Sequence, residues 1–248
     1  MTMNNIKTGL ALALLLIAPT ALADLSLPVL NLTNGDETQQ VSIKLEILAL
    51  MTILSLLPAM LLMLTSFTRI IVVLAILRQA IGLAQSPPNK VLVGLALVLT
   101  LAIMRPVGKA IYTDAVVPYD AGEISLVVAI ERTEKPLRDF IQPNTRRSDV
   151  EQMLRISGES VSLQDDEVPL MVLVPAFVLS ELKSAFQIGF LLFLPFLVID
   201  LIVASVLMAM GMMMLSPLVI SLPFKLMVFV LVDGWSMLSA TLTASYWN

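Results

Sequence analysis

Long uncharged apolar runs alternate with charged, turn-rich stretches along the chain, and this pattern predicts helical hairpins flanking one polar region. Residues 47–64 form the first run, broken only by Thr52, Ser55 and Pro58, and just long enough to cross a bilayer core. The pattern resumes over 70–77 between Arg69 and Arg78, then stops at Gln85-Ser86-Pro87-Pro88-Asn89, where two prolines cannot continue a helix. That stretch is a hairpin turn. Residues 91–104 complete the first half, ending at Arg105-Pro106.

The middle of the chain differs in kind. Residues 105–167 carry 8 basic and 12 acidic side chains. Helix-compatible spacing occupies 125–140 and 147–156, and Pro118, Gly122, Pro136, Pro143 and Gly158 punctuate it. Short helices and loops are expected there. Apolar patterning returns at Leu170 and includes 184–222, 39 residues whose only charge is Asp200. As one helix that run would reach about 58 Å against a bilayer core of about 30 Å. It must break, and Pro195, Gly211 and Pro217 are the candidates. A last run over 226–242 contains Asp233 and Gly234, and Tyr246-Trp247-Asn248 supplies aromatics suited to a membrane interface.

The first residues read as a targeting segment. Lys7 gives a positive start, 10–18 an apolar centre too short to span, and Ala21-Leu22-Ala23 a small-residue cleavage site before Asp24. The expected organisation is a signal peptide at 1–23, a polar leader at 24–44, a first hydrophobic hairpin at 45–104, a polar periplasmic domain at 105–169 and a second hydrophobic region at 170–248. Arg69, Arg78 and Lys90 flank the Pro-Pro turn without acidic neighbours, which places that turn in the cytoplasm. A cleaved signal peptide puts the polar domain outside, so the two arguments agree.

Composition sharpens this picture. The chain is 58% hydrophobic and only 14% charged, more apolar than soluble domains, which sit at about 45–50%. A net charge of −4 without a basic block argues against a nucleic-acid partner. With no Cys and no His, thiolate catalysis, disulfides, imidazole bases and the commonest transition-metal ligands are excluded. No phosphate-binding glycine loop or nucleophile elbow is present, so no catalytic residue, cofactor or metal is assigned. Asp165-Asp166-Glu167, the one dense carboxylate group, reads as a solvated loop.

Charges inside apolar helices are costly and need partners. Arg69, Glu181, Lys183, Asp200 and Lys225 are such charges. A Glu181–Lys225 contact, within or between subunits, would offset their desolvation; a proton relay through Asp200 and Asp233 is the other role open to them. The second feature is Met208-Ala209-Met210-Gly211-Met212-Met213-Met214-Leu215-Ser216-Pro217, with five methionines in seven positions. Flexible thioethers either fill irregular packing gaps or form a deformable pore seal. Gly211 and the Ser-Pro pair bend the run, which suits entry into a lumen.

Two stretches carry a family resemblance. Pro175-Ala176-Phe177-Val178-Leu179-Ser180-Glu181-Leu182-Lys183-Ser184-Ala185-Phe186-Gln187-Ile188-Gly189-Phe190 and the segment from Pro195 to Met212 resemble the two tandem signatures of the FliP family. Thr65-Ser66-Phe67-Thr68-Arg69, the Pro-Pro turn and Leu222-Pro223-Phe224-Lys225 are similar to further family features. The resemblance implies an all-α protein that assembles as a pentamer with FliQ and FliR into a helical export-gate cone, beside FlhB and FlhA. It implies a place in the inner membrane at the flagellar basal body, and unfolded flagellar proteins as cargo. It assigns Met210, Met212, Met213 and Met214 to a channel gasket, and Glu181 and Lys225 to subunit contacts. The family also contains a virulence-secretion branch, from which the signal peptide separates this chain. The competing class is a self-sufficient proton-coupled transporter.

Overall fold

The computed structural model describes residues 37–83, 86–158, 168–212 and 214–247. The expected signal peptide, most of the expected leader, Gln85, the Asp165-Asp166-Glu167 group and Met213 lie outside the described residues. All regular structure among the described residues is helical. The chain divides into two units, residues up to Leu61 and residues from Leu62 onward.

The described residues of the first unit lie in α1, which spans Glu37–Met63 and ends two residues beyond that unit. It begins inside the segment expected as a polar leader, because Glu37 to Gln40 contain no helix breaker and an acidic residue suits a helix N-terminus. Pro58 lies within it.

In the second unit α2, Phe67–Ile81, buries Ile70, Val73, Leu74, Leu77 and Ile81, the spacing of one helical face. Gly82 ends it at φ 91°, with the Gly82 and Leu83 amides donating to the carbonyls of Gln79 and Arg78 at 3.0 and 3.1 Å. Those two bonds satisfy carbonyls the helix end would leave bare, and only glycine takes that φ without strain. Arg78 braces the Pro87-Pro88 segment by donating to Asn89 Oδ1 at 2.6 Å and to the Pro87 carbonyl at 3.3 Å. After this segment α3, Asn89–Ile111, packs along α2.

The helix does not stop at Arg105-Pro106 as its pattern suggested. It continues through a wide π turn, Tyr112–Val116, into α4, Val117–Asp120, making 32 continuous residues. The π turn precedes Pro118, whose ring cannot lie against the carbonyl one turn back; widening the backbone moves that carbonyl aside. Two amphipathic helices follow, α5 at Leu126–Ile141 and α6 at Arg147–Ser157, close to the positions expected from spacing. The Ser125 hydroxyl accepts the Val128 amide at 3.5 Å to open α5, and Gly158 closes α6 at φ 73°.

The longest element is α7, Leu170–Ala209, whose 40 residues extend about 60 Å. Pro175 and Pro195 both lie inside it, so Pro195 is not the break that the length argument demanded. The break falls at Gly211, and α8, Pro217–Leu231, starts on Pro217 at its first turn, where a missing amide costs nothing. A 63° bend at Val232-Asp233 leads to α9, Gly234–Ala244. The stretches Asn89–Asp120 and Leu170–Ala209 are each long and apolar enough to cross a membrane, while α8 and α9 qualify only as a bent pair.

The core is built around α2, which packs against α7 on one side and α3 on another, with α6 laid on α7. Gly189 of α7 sets the spacing with α2: a Cβ there would lie 2.4 Å from Ile76 Cδ1. Much of the apolar surface stays outside this core. Phe186, Phe190, Leu191, Val198 and Leu201 of α7, and Leu218, Val219, Val230 and Leu231 of α8, are exposed. Surface of that kind belongs against lipid or other chains.

Candidate functional site

The helices bring the embedded charges together in three separate polar centres, and none uses the Glu181–Lys225 pairing expected from sequence. At the first, Arg69 of α2 and Glu181 of α7 form a two-pronged ion pair in which Arg69 Nε donates to Glu181 Oε2 at 3.1 Å and Nη2 donates to Oε1. Both residues are buried. The Tyr246 hydroxyl donates to Glu181 Oε2 at 2.5 Å, and its ring lies under the guanidinium with 3.8 Å between Arg69 Cζ and the ring centre. Arg69 Nη1 is taken up by Ser245, through its hydroxyl at 2.8 Å and its carbonyl at 3.2 Å. A buried charge pair with its remaining donors and acceptors filled is the arrangement that offsets desolvation.

The second centre joins α7 to α8. Lys225 Nζ donates to Asp200 Oδ2 at 2.6 Å and to the Ala80 carbonyl at 3.0 Å, and the Ser221 hydroxyl donates to Asp200 Oδ1 at 2.5 Å. Lys225 thus places its cation at the C-terminal end of α2, where the helix dipole is negative. Asp200 is engaged in holding α8, and Asp233 stands at the bend before α9. Within this chain Glu181 and Lys225 each have another partner, Arg69 and Asp200.

The third centre was not foreseen. Asp149, in the first turn of α6, is buried and accepts hydrogen bonds from Ser180 Oγ at 2.7 Å and Lys183 Nζ at 2.5 Å. The Arg146 amide donates to the same Ser180 hydroxyl at 3.0 Å, and its guanidinium donates to Gln187 Oε1. Burial pushes the Asp149 carboxyl up, but Lys183, Ser180 and Arg146 outweigh it and hold the group below the usual carboxylate range. In sequence Asp149 looks like any acid at a helix start. Only the spacing Ser180-x-x-Lys183, one helical turn, hints that two donors share a face.

The methionine-rich segment is the turn between α7 and α8. Gly211 adopts φ 73°, and the Gly211 and Met212 amides donate to the Met208 and Leu207 carbonyls, both at 3.0 Å. This double closure stops α7 where the methionines are densest. Met210, Met212 and Met214 are exposed, Met214 completely so, and none fills a gap in the core of this chain. Among the described residues, no group of three acidic side chains is arranged to hold a metal ion.

Comparison with known proteins adds a second line of observation. The FliP family profile matches residues 50–242. The chain is similar to the flagellar biosynthetic protein FliP of Pectobacterium carotovorum, at 51% identity over 98% of this chain and 93% of that protein. It is also similar to the protein of that name from Cereibacter sphaeroides, at 50% identity over 97% of this chain and 80% of the relative. For Bacillus subtilis the figures are 43% identity, 88% and 98%.

Proposed function

The chain belongs to the FliP family, and on that premise we propose that it is a channel-forming subunit of the flagellar type III export gate. In this reading it is a multi-pass protein of the inner membrane at the basal body, and it passes unfolded flagellar proteins outward. It works as a pentamer with FliQ and FliR, beside FlhB and FlhA, with the polar region 105–169 on the periplasmic side. It performs no catalysis; driving energy comes from other components. The relatives named above carry flagellar names, which favours the flagellar branch over virulence secretion.

One observation carries the reading: the buried charges Arg69, Glu181, Asp149 and Lys225 are paired inside the chain, while the long apolar helices and the methionine turn are left uncovered. A subunit built this way is finished electrically and unfinished hydrophobically. Burying that apolar surface against sister subunits supplies the association energy, at about 25 cal/mol per Å². Soft, unbranched Met side chains around a common axis would close a lumen and yield to a passing polypeptide. The test is ion permeability of cells expressing the complete gate with Met210, Met212, Met213 and Met214 replaced by Ala. Leakage is expected. An assembled gate that stays tight would rule out the gasket, and proton-coupled flux by the purified chain alone in liposomes would favour the transporter class instead.

A further inference from the structure

The element α9 is held at its two ends more firmly than along its length. At its start Asp233 occupies the left-handed region, φ 49° and ψ 54°, a conformation that strains a residue with a Cβ. Next to it Gly234 lies so near the Phe229 ring that a Cβ would fall 2.2 Å from Cε2. The bend between α8 and α9 is therefore a tight, strained corner. Beside α9 an open apolar groove of about 500 Å³ is lined by Leu74, Leu92 and Leu99 on one side and by Trp235 and Leu238 of α9 on the other. Only Leu238 and Leu242 of the helix are apolar side chains buried against the core.

The far end is fixed by side chains that reach three other helices. Ser245 and Tyr246 complete the Arg69–Glu181 pair, joining α2 and α7. The Tyr246 ring also stacks on Phe140 of α5, 5.7 Å between centres and 20° between planes, and Trp247 lies 6.1 Å from the same ring. Arg69 and Glu181 bond each other directly, and Ser245 and Tyr246 fill their remaining positions, so an open arm exchanges those contacts for solvent while the direct pair persists.

We infer that α9 is an arm latched by Tyr246 onto the Arg69–Glu181 pair, pivoting on the fixed corner at Asp233 when that latch opens. Opening separates α9 from α2 and α3 and leaves the α2–α7 core intact. Because α8 links the arm to the methionine turn, the latch ties the position of that turn's following helix to the buried pair. The inference rests on packing alone and stands apart from the export reading.

The chain contains no native cysteine, so single introduced thiols report opening cleanly. Leu238→Cys places a reporter on the inner face of the arm, and Ala185→Cys places one in the fully buried core of α7. Maleimide labelling is followed in the full-length chain in detergent, with and without Tyr246→Phe, which keeps the ring and removes only its hydroxyl. Labelling at Leu238→Cys is expected to accelerate by about tenfold, the loss of one charge-assisted hydrogen bond, while labelling at Ala185→Cys stays unchanged. Amide exchange across α9 in the cysteine-free chain reads the same opening should the reporter disturb packing. Equal acceleration at both thiols, or none at Leu238→Cys with α9 exchange also unchanged, overturns the latch.

Discussion

Lys225 donates to Asp200 across 2.6 Å, yet the two partners do not share the same surroundings: the Lys225 side chain is 1% exposed and that of Asp200 24%. Removing either charge therefore has unequal consequences. Asp200→Asn strands a buried ammonium with only the Ala80 carbonyl as a full acceptor, at a cost of about 3 kcal/mol. Lys225→Met removes the buried charge and leaves Asp200 with Ser221 and solvent, at a cost of about 1 kcal/mol. Thermal unfolding of the detergent-extracted chain should rank Asp200→Asn as the more damaging; the reverse order would refute this account of the pair.

Arg69 is held by the shape of its guanidinium as much as by its charge. It meets both Glu181 oxygens, Ser245 and the Tyr246 ring face at once. Lysine keeps the charge but has no fork to fill these positions. Arg69→Lys should destabilise by about 2 kcal/mol, close to the effect of losing a charge-assisted hydrogen bond. An unchanged melting temperature would show that a point charge suffices there.

Asp149 gives the polar region a sensitivity to acid. Its carboxyl is more acidic folded than unfolded, so its contribution is complete above the unfolded value of about 3.9 and is lost as pH falls through the lower folded value. Protection of the α6 amides, taken relative to their intrinsic exchange rates at each pH, should fall in the native sequence below about pH 4. In Asp149→Asn, α6 should already be less protected at neutral pH and should show a flatter response over that acid range. Parallel curves for the two proteins would remove Asp149 as the cause.

Gly189 tests the closeness of α2 and α7. The added methyl of Gly189→Ala would meet the Ile76 side chain at three atoms, from 2.4 to 3.1 Å, so no simple rotation of its tip relieves the overlap. Destabilisation of about 1–3 kcal/mol is expected. Ile76→Ala in the same chain should recover part of that loss. Additive losses in the double variant would show that the two sites do not touch.

Which features could be read in advance follows from how local their causes are. The Pro-Pro turn segment, the helices α5 and α6, and the stop at Gly211, one of three candidate breaks, depend on neighbouring residues, and the two helices stand close to the spans their spacing predicted. The prolines at 106 and 195 misled, because a long apolar helix packed by its neighbours absorbs a missing hydrogen bond that would break a short one. The charges that needed partners were identifiable, but Arg69 and Glu181 meet across 112 positions, and only helix packing selects them. Tyr246 looked like an interfacial aromatic and is buried on that pair instead. Its hydroxyl made burial possible, and a sequence gives no sign of an acceptor so distant along the chain.

Gly211 separates the role of the methionine turn from its composition. Its φ of 73° is strained for alanine, but no atom would lie within 4 Å of the added Cβ. Gly211→Ala therefore costs about 1 kcal/mol of backbone strain without a clash, and its relief is to extend α7 and redirect Met212 and Met214. The chain should still fold and assemble, with every methionine retained. If the proposed seal depends on where those side chains are aimed, cells carrying this variant in a complete gate should leak ions as the alanine variants do. A tight gate would mean that methionine content alone, wherever the turn points it, is enough.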